Sequence, residues 1–402
     1  MFSLVLSAAA LASVPDTCDA TTIANAAASF VRDGYAVLPN FSSPNEVAAM
    51  RNSMEAFVAA WWREEQATPD SPVAVFTTGK NQSNAQAKSR YFFDSADRVH
   101  FFREADNTPP LDGSRPPLNK VGHGLHLDPD SPFGAYARSS RIAAVAREVA
   151  GLIAPVLPQS MYIFKEAKLG GAVTSHQDGT FLYTRPQQTV VGLWLALDDA
   201  HEGNGCLWAR PGSHHEPLRR RFVRKTGEDG EVIMAFEDAS ADEAEVFLSS
   251  QLTNASINVS SSSGTRGAAA EAKPAWWRRV WMWLSRRWGG GSGGDRSQRR
   301  RHIERSEAAR SWEGVWPPPN TTAGTQAGVK AADELAARGF VPLNVKAGDL
   351  VVFPGTLDHL SLPNGSPYAR HTFQLHMVEG PAAGVEWGPD NWLQVGGEFM
   401  RI

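Results

Sequence analysis

Two cysteines, Cys18 and Cys206, are all that 402 residues contain. So few exclude a disulfide-stapled scaffold and a cysteine-based metal cluster, and they fit a reducing compartment. The chain also lacks an apolar run long enough to span a bilayer. Its first fifteen residues are apolar and uncharged, with a small-residue Ala10-x-Ala12 of the kind found at cleavage sites, but they lack the basic n-region of a secretory signal. Residues 1–20 therefore read as a possible signal or a plain extension, and the expected location is cytoplasmic. Asn-x-Ser/Thr sequons, among them Asn81, Asn254, Asn258, Asn320 and Asn364, would matter only in a secreted chain. Large net charge is missing as well, at −4, yet residues 273–310 carry eleven Lys or Arg against three acidic residues. The remainder is thus clearly acidic.

What is present suits a soluble globular protein, 42% hydrophobic and long enough for one large core. Residues 20–33 read as a short Ala-rich helix. Ser43-Pro44-Asn45-Glu46 has Ser at the N-cap, Pro at the first helical position and Glu two residues further on. That capping box opens a helix with Val47, Met50, Met54, Phe57 and Trp61 on one face. Residues 69–118 weaken into loops with aromatic islands at Tyr91-Phe92-Phe93 and Phe101-Phe102, suited to one wall of a pocket.

The chemistry centres on Ser175-His176-Gln177-Asp178-Gly179-Thr180. A His-x-Asp pair offers an imidazole and a carboxylate from neighbouring positions, two of the three ligands of a non-haem iron facial triad. The third ligand must come from elsewhere, and far downstream a buried-strand pattern from Gly348 ends on His359. Eleven residues later Arg370 opens a run whose strict alternation sets Arg370, Thr372, Gln374 and His376 opposite Phe373, Leu375 and Met377. A guanidinium on that polar face can clamp a carboxylate bidentately. Lys120 is a candidate second cation. In the run through Leu193, Leu195 and Leu197, Trp194 stands between Gly192 and Ala196, which leaves room for a ligand beside the indole. A rival His-x-Asp, His126-Leu127-Asp128, lies in a turn-rich segment with no strand to fix its angle. His214, in a Pro-Gly-Ser turn, reads as a backbone-satisfied histidine.

Gln159 to Lys165, Ser175 to Asp178 with Phe181 to Thr184, Asn204 to Trp208, Pro211 to His214 and Trp387 to Gln394 together resemble the phytanoyl-CoA dioxygenase family. The resemblance covers roughly residues 25–225 and 343–395. It implies a mainly β protein with peripheral helices around a double-stranded β-helix, or jelly roll, and it implies Fe(II), O2 and 2-oxoglutarate. Position by position, it makes His176, Asp178 and His359 the iron ligands and Arg370 the partner of the distal 2-oxoglutarate carboxylate. Lys120, Met161, Gln177 and Trp194 match further co-substrate contacts.

One oxygenase domain over 21–225 and 343–402 is expected, interrupted by a largely disordered insertion at 226–342. Such an interruption costs little, because closure entropy grows only logarithmically with loop length. Inside it, residues 275–288 place Trp277, Val280, Trp281, Leu284 and Trp288 on one helical stripe with arginines on other faces. That pattern suits peripheral membrane contact. The expected protein is a monomer acting on a small-molecule or lipid-like substrate, with no nucleic-acid partner. A catalytically silent binding protein and a membrane-recruited adaptor are the competing readings.

Overall fold

The computed structural model describes residues 19–67, 75–76, 89–104, 115–227, 230–239, 294–311, 321 and 325–402. Helix α1 (Ala20–Asp33) starts where the Asp19 side chain accepts from the Thr22 N–H at 2.7 Å, and it stops at Gly34, whose φ of 83° suits a residue without a Cβ. Helix α2 (Pro44–Ala67) starts at the expected capping box, with Ser43 N donating to Glu46 Oε2 at 2.9 Å and Glu46 N to Ser43 Oγ at 3.3 Å. Val47, Met50, Met54 and Val58 of α2 are buried, while Phe57 and Trp61 pack against the core half-exposed. Burying each of the two methionines is worth roughly 1.5–3 kcal/mol.

Nine strands form the larger sheet: β1 (Ala36–Leu38), β2 (Val75–Phe76), β3 (Val99–Glu104), β4 (Leu118–His123), β5 (Pro155–Ile163), β8 (Val191–Ala196), β13 (Leu350–Pro354), β15 (Thr372–Glu379) and β17 (Met400–Arg401). Their order is β1-β13-β8-β15-β5-β4-β3-β2, with β17 beside β5. The smaller sheet runs β12 (Val341–Leu343), β9 (Leu207–Ala209), β14 (His359–Ser361), β6 (Val173–His176). Among the described residues two strand pairs complete the set: β10 (Arg220–Thr226) with β11 (Val232–Asp238), and β7 (Thr184–Arg185) with β16 (Glu386–Trp387). Strands distant in sequence are neighbours in both sheets, and pairing is antiparallel apart from β2 with β3. The result is a jelly roll with helices outside.

Period-2 alternation divides each central strand between two cores. Leu193 and Leu195 of β8, with Leu197 just beyond it, join Phe373, Leu375 and Met377 of β15 under the helices, against Ile23, Phe30, Met50 and Met54. The opposite face of β8 sends Trp194 and Ala196 between the sheets, where they meet Trp208, Phe353 and Leu360. The functional cavity opens in that inner layer.

The interval 226–342 is not as structureless as its composition suggests. Among the described residues it holds β11, the helices Gly294–Arg310 and Gln326–Ala337, and the start of β12. The reason is burial: Met234 lies under the β10–β11 hairpin, Ala331 and Leu335 reach the inner core, and Ser306 and Ala309 are buried on the earlier helix. The Trp/Arg segment 275–288 and the amino-terminal extension through residue 18 lie outside the described residues. Asn364 is fully buried, its side-chain amide donating to the Lys165 and Tyr368 carbonyls at 2.8 Å each, so that sequon is no accessible acceptor. No helix among the described residues is long and apolar enough to cross a membrane.

Candidate metal centre and co-substrate pocket

Strand β6 ends on His176, and the chain then turns through a single 3-10 turn at Asp178–Thr180. The i, i+2 relation keeps both ligands on the inner face of that corner. Strand β14 begins on His359, paired directly with His176. The ligand atoms of His176, Asp178 and His359 all lie within 4.8 Å of one another. Asp178 Oδ1 is 3.4 Å from His176 Nε2 and 3.6 Å from His359 Nε2, and the two imidazole centroids are 4.2 Å apart.

Both imidazoles are held in one tautomer by the backbone. His176 Nδ1 donates to the Thr174 carbonyl at 2.7 Å and His359 Nδ1 to the Leu357 carbonyl at 3.0 Å. A carbonyl only accepts, so each Nδ1 carries the proton and each Nε2 is the ring's acceptor nitrogen, set near Asp178 Oδ1 as a shared metal would require. Burial, reinforced by neighbouring His176, pushes His359 down to about 4 and keeps it neutral. Burial alone would raise the Asp178 carboxyl. His376 and His359 beside it, with the His376 hydrogen bond, outweigh burial and hold it well below the usual carboxylate range.

His376 completes the arrangement, and it was legible only as one member of a polar strand face. Gln159 Nε2 lies 3.1 Å from His376 Nδ1, and His376 Nε2 lies 3.0 Å from Asp178 Oδ2. The amide nitrogen donates, so the imidazole passes its own N–H to the carboxylate. Asp178 thereby offers Oδ1 to a metal while Oδ2 is held.

A cavity of about 180 Å³ lies beside the triad, between the two sheets. Arg370, in the turn before β15, is 2% exposed and lines it. Its Nη2 donates to the Gly205 carbonyl at 2.7 Å, its guanidinium sits 5.3 Å from the Trp194 ring, and its buried Nε has no partner. Burial pushes Arg370 down to about 10, which leaves it charged at neutral pH. A buried cation with an unsatisfied donor fits a carboxylate that enters with a ligand. Trp194, Met161 and Lys120 line the same cavity.

Lys120 Nζ lies 3.1 Å from His123 Nε2 and 3.7 Å from the Phe76 ring centroid, and burial pushes it down to about 7. A second buried amine, Lys165, was not anticipated as part of the pocket. Its Nζ donates to the Gly171 carbonyl at 2.6 Å, and burial, then Arg370, pushes it to about 7. The remaining wall is aromatic, with Phe76, Phe92, Phe181, Phe222 and Trp392.

Gln177 departs from its expected place. The alternation that turns His176 and Asp178 inward turns Gln177 outward, where its side chain bonds the Thr356 carbonyl at 2.9 Å and the Arg219 backbone N–H at 3.1 Å. Its side chain is not part of the cavity wall. The rival pair also separates, because His126 is buried against Ser160 Oγ at 2.9 Å whereas Asp128 is exposed. His214 bonds the Val31 carbonyl at 3.0 Å.

Comparison with known proteins settles the family. The sequence profile described as phytanoyl-CoA dioxygenase (PhyH) matches residues 30–250 and 293–372. The chain belongs to the phytanoyl-CoA dioxygenase family. Phytanoyl-CoA dioxygenase domain-containing protein 1 of Mus musculus is 30% identical over 370 residues, covering 91% of this chain and 92% of its own. Phytanoyl-CoA dioxygenase 1 of Oryza sativa subsp. japonica is 31% identical over the same length, covering 91% of each. Among solved structures, the carbocyclase SnoK from nogalamycin biosynthesis aligns over 94% of this chain and 95% of its own, at 15% identity and a TM-score of 0.44. Membership in this family makes the chain an oxygenase, and the second matched block includes the helix Gly294–Arg310, which therefore belongs to the family domain.

Proposed function

We propose that the chain is an Fe(II)- and 2-oxoglutarate-dependent dioxygenase that hydroxylates a small or lipid-like substrate with release of succinate and CO2. The observation that carries this reading is the placement of three metal-ligand atoms within 4.8 Å of one another beside a buried arginine with an unpartnered donor. His176, Asp178 and His359 would hold the iron, and the cavity beside them, with Arg370 in its wall, would take the 2-oxo acid. When bound, iron with O2 and 2-oxoglutarate supplies oxidative decarboxylation and the oxidising power for a substrate C–H bond.

The chain's own residues supply geometry and dryness. Two backbone carbonyls orient the imidazoles, and His376 orients Asp178. Arg370 neutralises the distal carboxylate and fixes the register of the co-substrate, and the Trp194 indole packs against that guanidinium. Phe76, Phe92, Phe181, Phe222 and Trp392 enclose the side on which an apolar substrate would lie and exclude water from it. A silent binding protein would not need all three ligands and the arginine together, so the intact set favours turnover.

The test is conversion of 2-oxoglutarate to succinate by the purified iron-loaded protein without added substrate. Turnover lost in His176→Ala and in Asp178→Ala is the expected result. An inactive wild type, or variants as active as it, would overturn the reading. Metabolite profiling with the active protein then identifies what is hydroxylated.

A further inference from the structure

Behind the metal ligands, on the face turned away from the cavity, lies a second cluster that the proposed reaction does not use. Its members are the sequence neighbours of the ligands: Ser175 beside His176, Gln177 between His176 and Asp178, and Asp358 beside His359. Asp358 is fully buried. Its Oδ1 accepts from Ser175 Oγ at 2.6 Å, and its Oδ2 accepts from Arg219 Nη1 at 3.0 Å and Arg210 Nε at 3.1 Å. Arg219, 1% exposed, also donates through Nε to Gln177 Oε1 at 3.3 Å and through its backbone N–H to the same oxygen at 3.1 Å. Arg210 closes the cluster with two bonds to Glu216, at 2.7 and 2.6 Å. Two guanidinium groups thus face two carboxylates in a dry site.

Arg219 bonds both sides from outside them: the segment carrying His176 and Asp178 through Gln177, and the residue before His359 through Asp358. Ser175 Oγ on Asp358 and Gln177 Nε2 on the Thr356 carbonyl join the same two segments, and the backbone ladder between the strands shifts register between His359 and Ser361. A shifted ladder is a weak ruler for a separation that a metal needs to within a fraction of an ångström. The charged cluster supplies a stiffer one, because its planar forks fix direction as well as distance.

We propose that Arg219 and Asp358 are positioning residues of the metal centre, clamping from behind the two strands that present its three ligands. The proposal rests on the metal-centre reading above. The clamp also has a route to the rest of the domain: the Pro217 carbonyl accepts from both Gln177 Nε2, at 3.4 Å, and Ser306 Oγ of the helix Gly294–Arg310, at 3.3 Å.

The experiment measures Co(II) binding to the metal-free full chain by titration calorimetry, together with the visible spectrum of the bound Co(II) and the melting temperature. Asp358→Asn and Arg219→Gln are expected to weaken Co(II) roughly 10–100-fold, the range seen when groups supporting metal ligands are removed. They should also alter the Co(II) spectrum, because the ligand angles change. Arg219→Lys should recover part of the loss, since one ammonium can reach Asp358 but cannot hold Gln177 with it. A purely structural role would lower the melting temperature and leave affinity and spectrum unchanged in the folded fraction, and that result overturns the proposal. If those variants do not fold, the milder Ser175→Ala and Gln177→Met decide, with wild-type Co(II) affinity in both counting against the clamp. A wild type that binds no Co(II) at all would instead remove the metal-centre reading itself.

Discussion

His359 stands directly opposite His176 in the antiparallel pairing of β6 with β14, although the chain between them runs through most of the second half of the molecule. Their imidazole centroids are 4.2 Å apart. Strand pairing and the side-chain bonds behind it set that distance and the connection does not, so a long insertion between the two ligands is tolerated.

Removing part of that insertion tests this directly. A chain lacking residues 245–290 keeps the hairpin β10–β11 and the helix Gly294–Arg310, both of which pack on the core. Its 2-oxoglutarate turnover and its melting temperature should match those of the full chain. The Trp/Arg stripe at 275–288 predicts that the full chain sediments with anionic lipid vesicles and that the shortened chain does not. Equal sedimentation of the two would dismiss the stripe as a membrane contact.

Arg370→Ala should raise KM for 2-oxoglutarate by roughly 30-fold or more, about 2 kcal/mol, because a buried carboxylate would then lack its counter-charge. The effect on Fe(II) affinity should be small, since Arg370 touches none of the three ligands in the described contacts. Arg370→Lys recovers part of the loss, as a point charge cannot reproduce the planar fork that lies 5.3 Å over the Trp194 ring. Steady-state kinetics with 2-oxoglutarate as the varied component read both variants.

His376→Ala should show the opposite split. It frees Asp178 Oδ2, now held at 3.0 Å, and lets the carboxylate rotate. Metal affinity is expected to fall roughly 10–100-fold with KM for 2-oxoglutarate little changed at saturating metal. Calorimetry with Co(II) on the metal-free protein measures the first, and kinetics at saturating Fe(II) the second. Unchanged metal affinity would mean that Asp178 is oriented by something else.

These assignments show what local pattern carries and what it leaves out. Alternation over Arg370 to Met377 separated the cavity face from the helix face of β15, because a strand's period is 2 whatever its neighbours are. The capping box at Ser43 and Glu46 fixed the start of α2 from four residues alone. The support given by His376 to Asp178 depends on which strands become neighbours across 198 positions of sequence, and no local pattern encodes that. Gln177 failed for a different reason. Its own strand period turns it away from its two flanking ligands, a local signal outweighed by its place inside the motif. The ordered parts of 226–342 were hidden by the low-complexity stretches around them, although Val232 to Phe236 has a strand pattern and Gln326–Ala337 an apolar stripe.

The buried histidines away from the metal give a pH dependence whose sign follows from burial. Burial, and then Arg138, pushes His126 down to about 4, against roughly 6.5 in an unfolded chain. Its Nδ1 is paired with Ser160 Oγ at 2.9 Å, inside the core. Between those two values the unfolded chain binds a proton that the folded chain refuses, so stability rises with pH across the window. This contribution is complete above about pH 6.5 and is lost as pH falls through about 4. His371 and His215, both pushed down to about 4 chiefly by burial, act in the same direction. In the metal-free protein the urea midpoint should therefore drop steeply from pH 7 to pH 5. His126→Asn should be less stable at pH 7, from lost packing, yet lose less between pH 7 and pH 5, by as much as about 1 kcal/mol per pH unit. Parallel pH profiles for the two proteins would show that His126 takes up its proton in the fold at the same pH as in the unfolded chain, and would remove the burial argument.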